Sequence, residues 1–155
     1  MTLTYRLLVG LAGVGSAAIL LGAFGFQYIG GLDPCAMCLW QRWPHAIAIG
    51  IAGLGLLVSR VLIALAGALT MAVSTGLAIF HSGVERHWWI GPSSCTSRGV
   101  DLTAGECGLL DPTCGSAIVL CDQIPWAMFG LSMANYNVFG SLVLMAIWLM
   151  AATRA

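Results

Sequence analysis

The chain has 155 residues, of which 59% are hydrophobic and 8% are charged, and its six basic residues balance its six acidic ones. A soluble domain carries roughly 25% charged residues, so this composition excludes an ordinary water-soluble protein and indicates one integral membrane domain. The sequence has no basic patch for nucleic acid and no glycine-rich loop for phosphates, so neither kind of partner is expected.

Four long stretches without a charged residue can each hold one membrane-spanning helix: residues 7–32, 43–59, 61–84 and 123–153. A helix rises about 1.5 Å per residue and a hydrocarbon core is roughly 30 Å thick, so a span needs about 20 residues. The second stretch is short, but Arg42 and Arg60 at its boundaries can extend to opposite interfaces. We predict an all-α membrane protein, a four-transmembrane-helix bundle with one large outer loop between helices 3 and 4. The expected spans are roughly 7–30, 36–58, 61–83 and 126–151, and the loop is roughly 84–125.

The orientation follows from where the arginines fall. An even number of spans leaves three arginines on the side of the termini and three on the other side, but those near the termini lie in much shorter segments. Short segments carry the positive-inside signal, so both termini are expected in the cytoplasm of a bacterial inner membrane. All six cysteines then lie at or beyond the outer face, where disulfides form and persist: Cys35, Cys38, Cys95, Cys107, Cys114 and Cys121.

A close cysteine pair, Cys35-Ala36-Met37-Cys38, opens the second predicted helix. Asp33 is expected to be the helix N-cap and Pro34 to occupy the first helical position. Cys35 would then sit in the first turn, where unpaired N–H groups and the helix dipole favour a thiolate. The pair therefore indicates redox-active thiols at the membrane surface.

Arg42 lies one turn beyond Cys38 on the same helical stripe, within about 60° of both cysteines. A thiol pair at the membrane edge suggests a lipid-soluble electron carrier such as a quinone as its partner. The permanent charge of Arg42 can stabilise a thiolate at Cys38 and a developing negative charge on a quinone oxygen. The alternative is that Arg42 is only an interfacial anchor. Pro44 is expected to kink the helix below the site, and we interpret His45 as an interfacial residue rather than a proton relay.

The predicted outer loop holds Cys95, Cys107, Cys114 and Cys121. Four cysteines allow three complete pairings, and spacing alone does not choose among them. The loop lacks the close cysteine pair of a zinc knuckle, so no metal site is predicted. A static disulfide brace is the alternative to a redox role for these residues.

Three motifs in combination resemble the DsbB family of disulfide-forming quinone reductases, and the resemblance covers essentially the whole chain. They are the Pro34-Cys35-x-x-Cys38-x-x-x-Arg42 segment, the run 91–95 (Gly-Pro-Ser-Ser-Cys), and Cys121-Asp122-x-x-Pro125-Trp126 followed by Gly130-Leu131-Ser132. The close cysteine pair by itself would not be specific.

The resemblance implies a path for electrons. Cys95 would form a mixed disulfide with a reduced soluble periplasmic oxidase similar to DsbA, with Cys121 as its loop partner. Cys121 would exchange with Cys35, freeing Cys38 to pass electrons to ubiquinone or menaquinone from the membrane pool beside Arg42. No metal is implied.

Other residues and functions remain open. His81 and Glu85 resemble a family histidine and glutamate after the third span, and would either line the quinone site or cap the helix. Cys107 and Cys114 depart from a four-cysteine pattern and are candidates for an accessory disulfide. The competing interpretations are a structural tetraspan protein with a disulfide-braced loop, a relay similar to vitamin K epoxide reductase, and a transmembrane thiol carrier.

Overall fold

A computed structural model of the chain describes residues 3–92 and 119–155. Within these residues the fold has four α-helices: α1 (Leu3–Tyr28), α2 (Ala36–Leu57), α3 (Val61–Glu85) and α4 (Met133–Ala152). Helix α3 packs mainly on α2 and α4, and α1 packs on the same two helices from the other side. The protein is thus mostly helical, as expected.

Among the helices of the described part, α1, α3 and α4 are long and apolar enough to cross a membrane. Helix α2 has 22 residues, which is long enough, but Gln41, Arg42 and His45 lower its mean hydropathy. Gln41 and His45 are only 7% and 2% exposed, so they face the interior of the bundle. Helix α2 is therefore less apolar than the other three helices because some of its polar side chains are buried inside the bundle.

The apolar core lies at the end of the bundle that holds the N-terminus of α1 and the C-terminus of α4. Trp148 of α4 is fully buried, and its ring covers Gly67 of α3 so closely that a β-carbon there would meet the indole. A β-carbon on Gly13 would likewise lie 2.7 Å from that of Ala52. Small residues thus let the helices approach one another. The buried members of this core are Tyr5, Val9, Ala12, Ala48, Ala52, Ala64, Ala68, Met71, Leu144, Trp148 and Ala151.

A short hairpin precedes α4, which begins at Met133 rather than near residue 126 as the sequence suggested. Strands β1 (Ala127–Met128) and β2 (Leu131–Ser132) pair antiparallel around Phe129 and Gly130, whose φ angles are 53° and 76°. Two positive φ angles in a two-residue loop match the twist of a hairpin. The Ser132 side chain then caps α4 by accepting the backbone N–H of Asn135 at 3.4 Å.

Candidate thiol redox site

Cys35 is itself the N-cap of α2, which corrects the expectation that Asp33 caps the helix and Pro34 begins it. The helix begins at Ala36, and the Cys35 sulfur accepts the backbone N–H of Cys38 at 3.3 Å. An N-cap side chain must accept one of the unpaired N–H groups of the first turn, and a sulfur bearing negative charge does this well. The helix start therefore points backbone donors at the Cys35 sulfur.

Cys35 and Cys38 carry free thiols whose sulfur atoms lie 3.0 Å apart. A Cys35 thiolate can only accept, so in that state the Cys38 thiol donates to the Cys35 sulfur. This hydrogen bond from Cys38, with smaller contributions from His81, lowers the pKa of the Cys35 thiol to about 4 although burial opposes the shift. Cys35 is therefore the sulfur that favours the thiolate.

His81, on the last turns of α3, lies between the thiol pair and the rest of the bundle. Its Nε2 atom is 3.6 Å from the Cys35 sulfur and 3.8 Å from Glu85 Oε1. Its Nδ1 atom is 2.7 Å from Nε2 of Gln41. The ring is 2% exposed and its position is set by neighbours on both sides. His81 thus contacts Cys35 directly.

Glu85 lies behind His81, one helical turn along α3, and does not line the cavity described below. Its Oε2 atom accepts a hydrogen bond from the hydroxyl of Ser132, the N-cap of α4. Ser132 also accepts a hydrogen bond from the side chain of Asn135 at 2.9 Å. The carboxylate therefore ties the end of α3 to the start of α4.

Arg42 is held by α1 rather than by an acidic residue. Its guanidinium donates to Oε1 of Gln27 at 2.6 Å and to the carbonyl of Ala23 at 3.4 Å, and it stacks on Phe24 at 4.9 Å. The Nε atom of Arg42 is buried without a hydrogen-bond partner. A buried donor of this kind is costly unless a ligand accepts from it.

A largely apolar cavity of about 320 Å³ opens beside the thiols between α1, α2 and α4. Ligand sites typically combine apolar walls with a few polar groups that fix orientation. Cys38 lines this cavity, whereas Cys35 does not. The polar residues on its wall are Asp33, Cys38, Gln41, Arg42, His45, His81, Tyr136 and Asn137.

Cys121 is fully buried and packs in one cluster with Cys35, Met37 and Val84. It is disulfide-bonded. The segment that precedes the hairpin thus places a disulfide-bonded cysteine in the same cluster as Cys35. The other three loop cysteines considered from the sequence, Cys95, Cys107 and Cys114, lie outside the described residues.

The donor atoms of Cys35, Cys38 and His81 all lie within 4.8 Å of one another. Two thiolates and an imidazole are the donor types of a zinc site. Such a set could hold a thiophilic cation only while both cysteines are reduced, because a disulfide between them removes two of the three ligands. A disulfide between Cys35 and Cys38 would therefore abolish any such grouping of ligands.

Several polar residues of the site had no role assigned from the sequence, notably Gln41 and Asn137. Asn137 Nδ2 donates to Gln41 Oε1 at 2.7 Å, and Asn137 Oδ1 lies 2.9 Å from His45 Nε2. His45 is buried, whereas the sequence suggested an interfacial position. An amide in an apolar helix is a detectable signal, since polar side chains there usually bond across helices.

Comparison with known proteins identifies the family of the chain. The family model for "Disulfide bond formation protein DsbB" matches residues 5–151. Proteins named disulfide bond formation protein B are similar to the chain, including one from Albidiferax ferrireducens at 31% identity, covering 86% of this chain and 82% of the relative. Another, from Azoarcus sp., is 28% identical over 89% of this chain and 87% of the relative. No solved structure was found to match the chain. The match over nearly the whole length, together with the paired thiols at the start of α2, places this chain in the DsbB family.

Proposed function

We propose that this protein is a thiol:quinone oxidoreductase. It reoxidises a soluble periplasmic dithiol oxidase similar to DsbA and passes the electrons to a membrane quinone. The observation that supports the proposal most directly is that the two thiols at the start of α2 have different surroundings. Cys38 lines the apolar cavity with Arg42, whereas Cys35 does not line it and belongs to the buried cluster that contains Cys121. One sulfur therefore adjoins a lipophilic ligand site, and the other lies in the same cluster as a disulfide-bonded cysteine.

Electrons enter through the loop cysteines. A thiolate of the reduced partner attacks Cys95 in the Cys95–Cys121 disulfide, and Cys121 leaves as a thiolate. The partner's second thiol then attacks the mixed disulfide and releases Cys95, so that the partner becomes oxidised and Cys95 and Cys121 become a dithiol. The Cys121 thiolate then attacks the sulfur of Cys35 in the Cys35–Cys38 disulfide, and Cys38 leaves with the electron pair. The shared cluster of Cys35 and Cys121 supports this exchange because the two residues already pack together.

The electron acceptor binds in the cavity beside Cys38. A bound ubiquinone or menaquinone would supply an acceptor for two electrons and two protons. The apolar wall suits its ring and tail, and the unpartnered Nε–H of Arg42 suits one ring oxygen. Arg42 keeps its charge at any physiological pH, so it stabilises negative charge next to Cys38 without losing a proton. Gln27 and Ala23 hold the guanidinium in that position.

The cysteines face the periplasm and both termini face the cytoplasm of an inner membrane that all four helices cross. Large aromatic side chains at the thiol end of the bundle are exposed, as in the interfacial belt of a membrane protein: Trp40, Trp43, Trp88 and Trp89. At the opposite end, Arg6 donates to the carbonyl of Leu56 near Arg60. Arginines in such short segments favour the cytoplasmic side.

The test is turnover by the purified full-length protein in detergent or vesicles. A reduced thioredoxin-fold dithiol protein is added with ubiquinone, and quinone absorbance is followed together with disulfide formation in the partner. We expect one quinone to be consumed for each disulfide formed, and Cys38→Ser to abolish quinone consumption. Undiminished quinone consumption by Cys38→Ser would reject the path. Stable, unreactive cysteines in the parent protein would favour a structural role.

A further inference from the structure

A chain of buried amide groups leads from α4 through α2 to His81. Asn137 Nδ2 donates to Gln41 Oε1 at 2.7 Å, and Gln41 Nε2 lies 2.7 Å from His81 Nδ1. At its far end, Asn137 Oδ1 accepts the hydroxyl of Ser141 at 3.2 Å and faces His45 Nε2 at 2.9 Å. The chain therefore connects three helices to the histidine that contacts the Cys35 sulfur.

The direction of these hydrogen bonds is fixed by an atom that can only accept. Gln41 Nε2 also lies 3.4 Å from the backbone carbonyl of Met37, to which it donates. With the amide reversed, two oxygens would face each other there. The Gln41 amide nitrogen is thus on the side of His81, and Nδ1 of the ring must accept its second hydrogen.

A neutral imidazole that accepts at Nδ1 carries its proton at Nε2. The groups around Nε2 are suited to receive that proton. The Cys35 sulfur lies at 3.6 Å and Glu85 Oε1 at 3.8 Å, and the ring also interacts with the backbone of Cys121. The ring therefore presents an N–H, and not a lone pair, to the sulfur of Cys35.

We propose that Gln41 and Asn137 are positioning residues that hold His81 in the tautomer whose Nε2 proton faces Cys35, and thereby select Cys35 as the sulfur that carries negative charge. The proposal deepens the proposed function, because it rests on thiol exchange at Cys35. It does not depend on which molecule finally accepts the electrons.

The preference for negative charge on Cys35 affects the step that re-forms the disulfide between Cys95 and Cys121. After Cys121 has joined Cys35, the Cys95 thiolate attacks the Cys121 sulfur. The bond between Cys121 and Cys95 forms, the bond between Cys121 and Cys35 breaks, and Cys35 leaves with the electron pair. A sulfur stabilised as a thiolate leaves faster, so the His81 N–H promotes release in the forward direction.

Titratable groups face the Cys35 sulfur from two helices of the described part. Cys38 approaches from α2, and His81 and Glu85 approach from α3, while Cys121 is disulfide-bonded and does not titrate. Of these groups, Gln41 directly contacts only His81, at 2.7 Å. It acts on Cys35 only through the His81 ring.

The experiment measures iodoacetamide alkylation of Cys35 against pH in the full-length protein with Cys35 and Cys38 reduced and the Cys121 disulfide intact. The labelled peptide is quantified by mass spectrometry. In Gln41→Leu the ring loses its Nδ1 donor and can turn a lone pair to the sulfur. The midpoint of the alkylation profile should then rise by about one pH unit or more, as for a lost hydrogen bond to a charged group.

The controls separate positioning from general damage. Thr75→Val removes another buried hydrogen bond of α3, from Thr75 Oγ1 to the Met71 carbonyl, and should leave the midpoint unchanged. Asn137→Ala, one step further from the sulfur, should raise the midpoint by less than Gln41→Leu, and it stands in if the latter does not fold. No rise of the midpoint in Gln41→Leu and Asn137→Ala, or an equal rise in Thr75→Val, would overturn the proposal. The assay contains neither quinone nor partner protein, so it gives its answer whether or not the proposed turnover is observed.

Discussion

The sulfur of Cys35 accepts both the backbone N–H and the thiol of Cys38, at 3.3 Å and 3.0 Å. One short turn thus supplies two donors to one sulfur and makes the paired cysteines unequal. The sulfur that begins the helix is the one that favours the charge, and the sulfur inside the helix lines the cavity.

Removing the thiol of Cys38 should therefore make Cys35 a weaker acid. Its hydrogen bond is the largest cause that lowers the pKa of Cys35 to about 4, so Cys35 is a thiolate above that pH in the parent protein. In Cys38→Ala the pKa should rise toward the ordinary value, and alkylation of Cys35 at pH 6 should slow by at least about tenfold. Cys38→Ser keeps a hydroxyl donor and should slow alkylation less. Equal alkylation at pH 6 in parent and Cys38→Ala would contradict this account.

Replacing Arg42 should weaken quinone use and leave the fold intact. Arg42→Leu removes the cation and its unpartnered Nε–H from the cavity wall, and we expect the KM for quinone to rise about tenfold to a hundredfold, the range for a hydrogen bond to a charged group. Arg42→Lys should lose less, because it keeps the charge. Arg86→Ala is the matched control, since Arg86 stacks on Trp88 and does not line the cavity. If KM does not change in Arg42→Leu, the residue is only an anchor.

Two glycines of α3 should respond to alanine in opposite ways. A β-carbon at Gly67 would meet the indole of Trp148, whereas one at Gly76 would have no neighbour within 4 Å. We expect Gly67→Ala to destabilise the protein by about 1–3 kcal/mol through overpacking. Gly76→Ala should be at least as stable as the parent, because alanine favours a helix. Thermal unfolding in detergent, followed by circular dichroism, compares the two. Equal melting temperatures would contradict the close packing of Trp148 on α3.

Replacing the loop cysteines by serine tests which of them take part in electron transfer from the partner protein. If Cys107 and Cys114 form an accessory disulfide, the double variant Cys107→Ser with Cys114→Ser should retain most of the parent rate of partner oxidation. Cys121→Ser should lose it, because Cys121 packs beside Cys35. Loss of partner oxidation in the double variant would instead make Cys107 and Cys114 members of the relay.

The helices could be anticipated from the sequence because charges are rare and mark the ends of apolar segments. The expected ends of α2 and α3, near residues 36–58 and 61–83, lie close to Ala36–Leu57 and Val61–Glu85. The start of α4 was missed, since the hairpin before it is as apolar as the helix and hydropathy does not distinguish the two. The small residues of the helices do not all mark helix contacts: a β-carbon on Gly13 would meet Ala52, but one on Gly22 or Gly50 would have no neighbour within 4 Å.

Within the site, the sequence pointed to the paired thiols because their spacing and position relative to Pro34 and Arg42 are local signals. The partners of His81 were not accessible in the same way. Gln41 contacts Asn137, which lies 96 positions further along the chain. Both residues are uncharged, so neither interrupts a stretch without charges. The sequence favoured Asp33 as the helix cap because oxygen side chains are the preferred N-caps, whereas in the structure the sulfur of Cys35 takes that role.

Helix α2 carries a guanidinium, an amide and an imidazole within five positions, and this has a consequence for biosynthesis. Such a segment partitions poorly into lipid by itself, so it should enter the bilayer as half of a helical hairpin with α1 or α3 already alongside. The close approach of Gly13 to Ala52 then becomes a requirement of insertion as well as of packing. A bulky side chain at Gly13 should cause the nascent chain to be degraded before any electron is transferred.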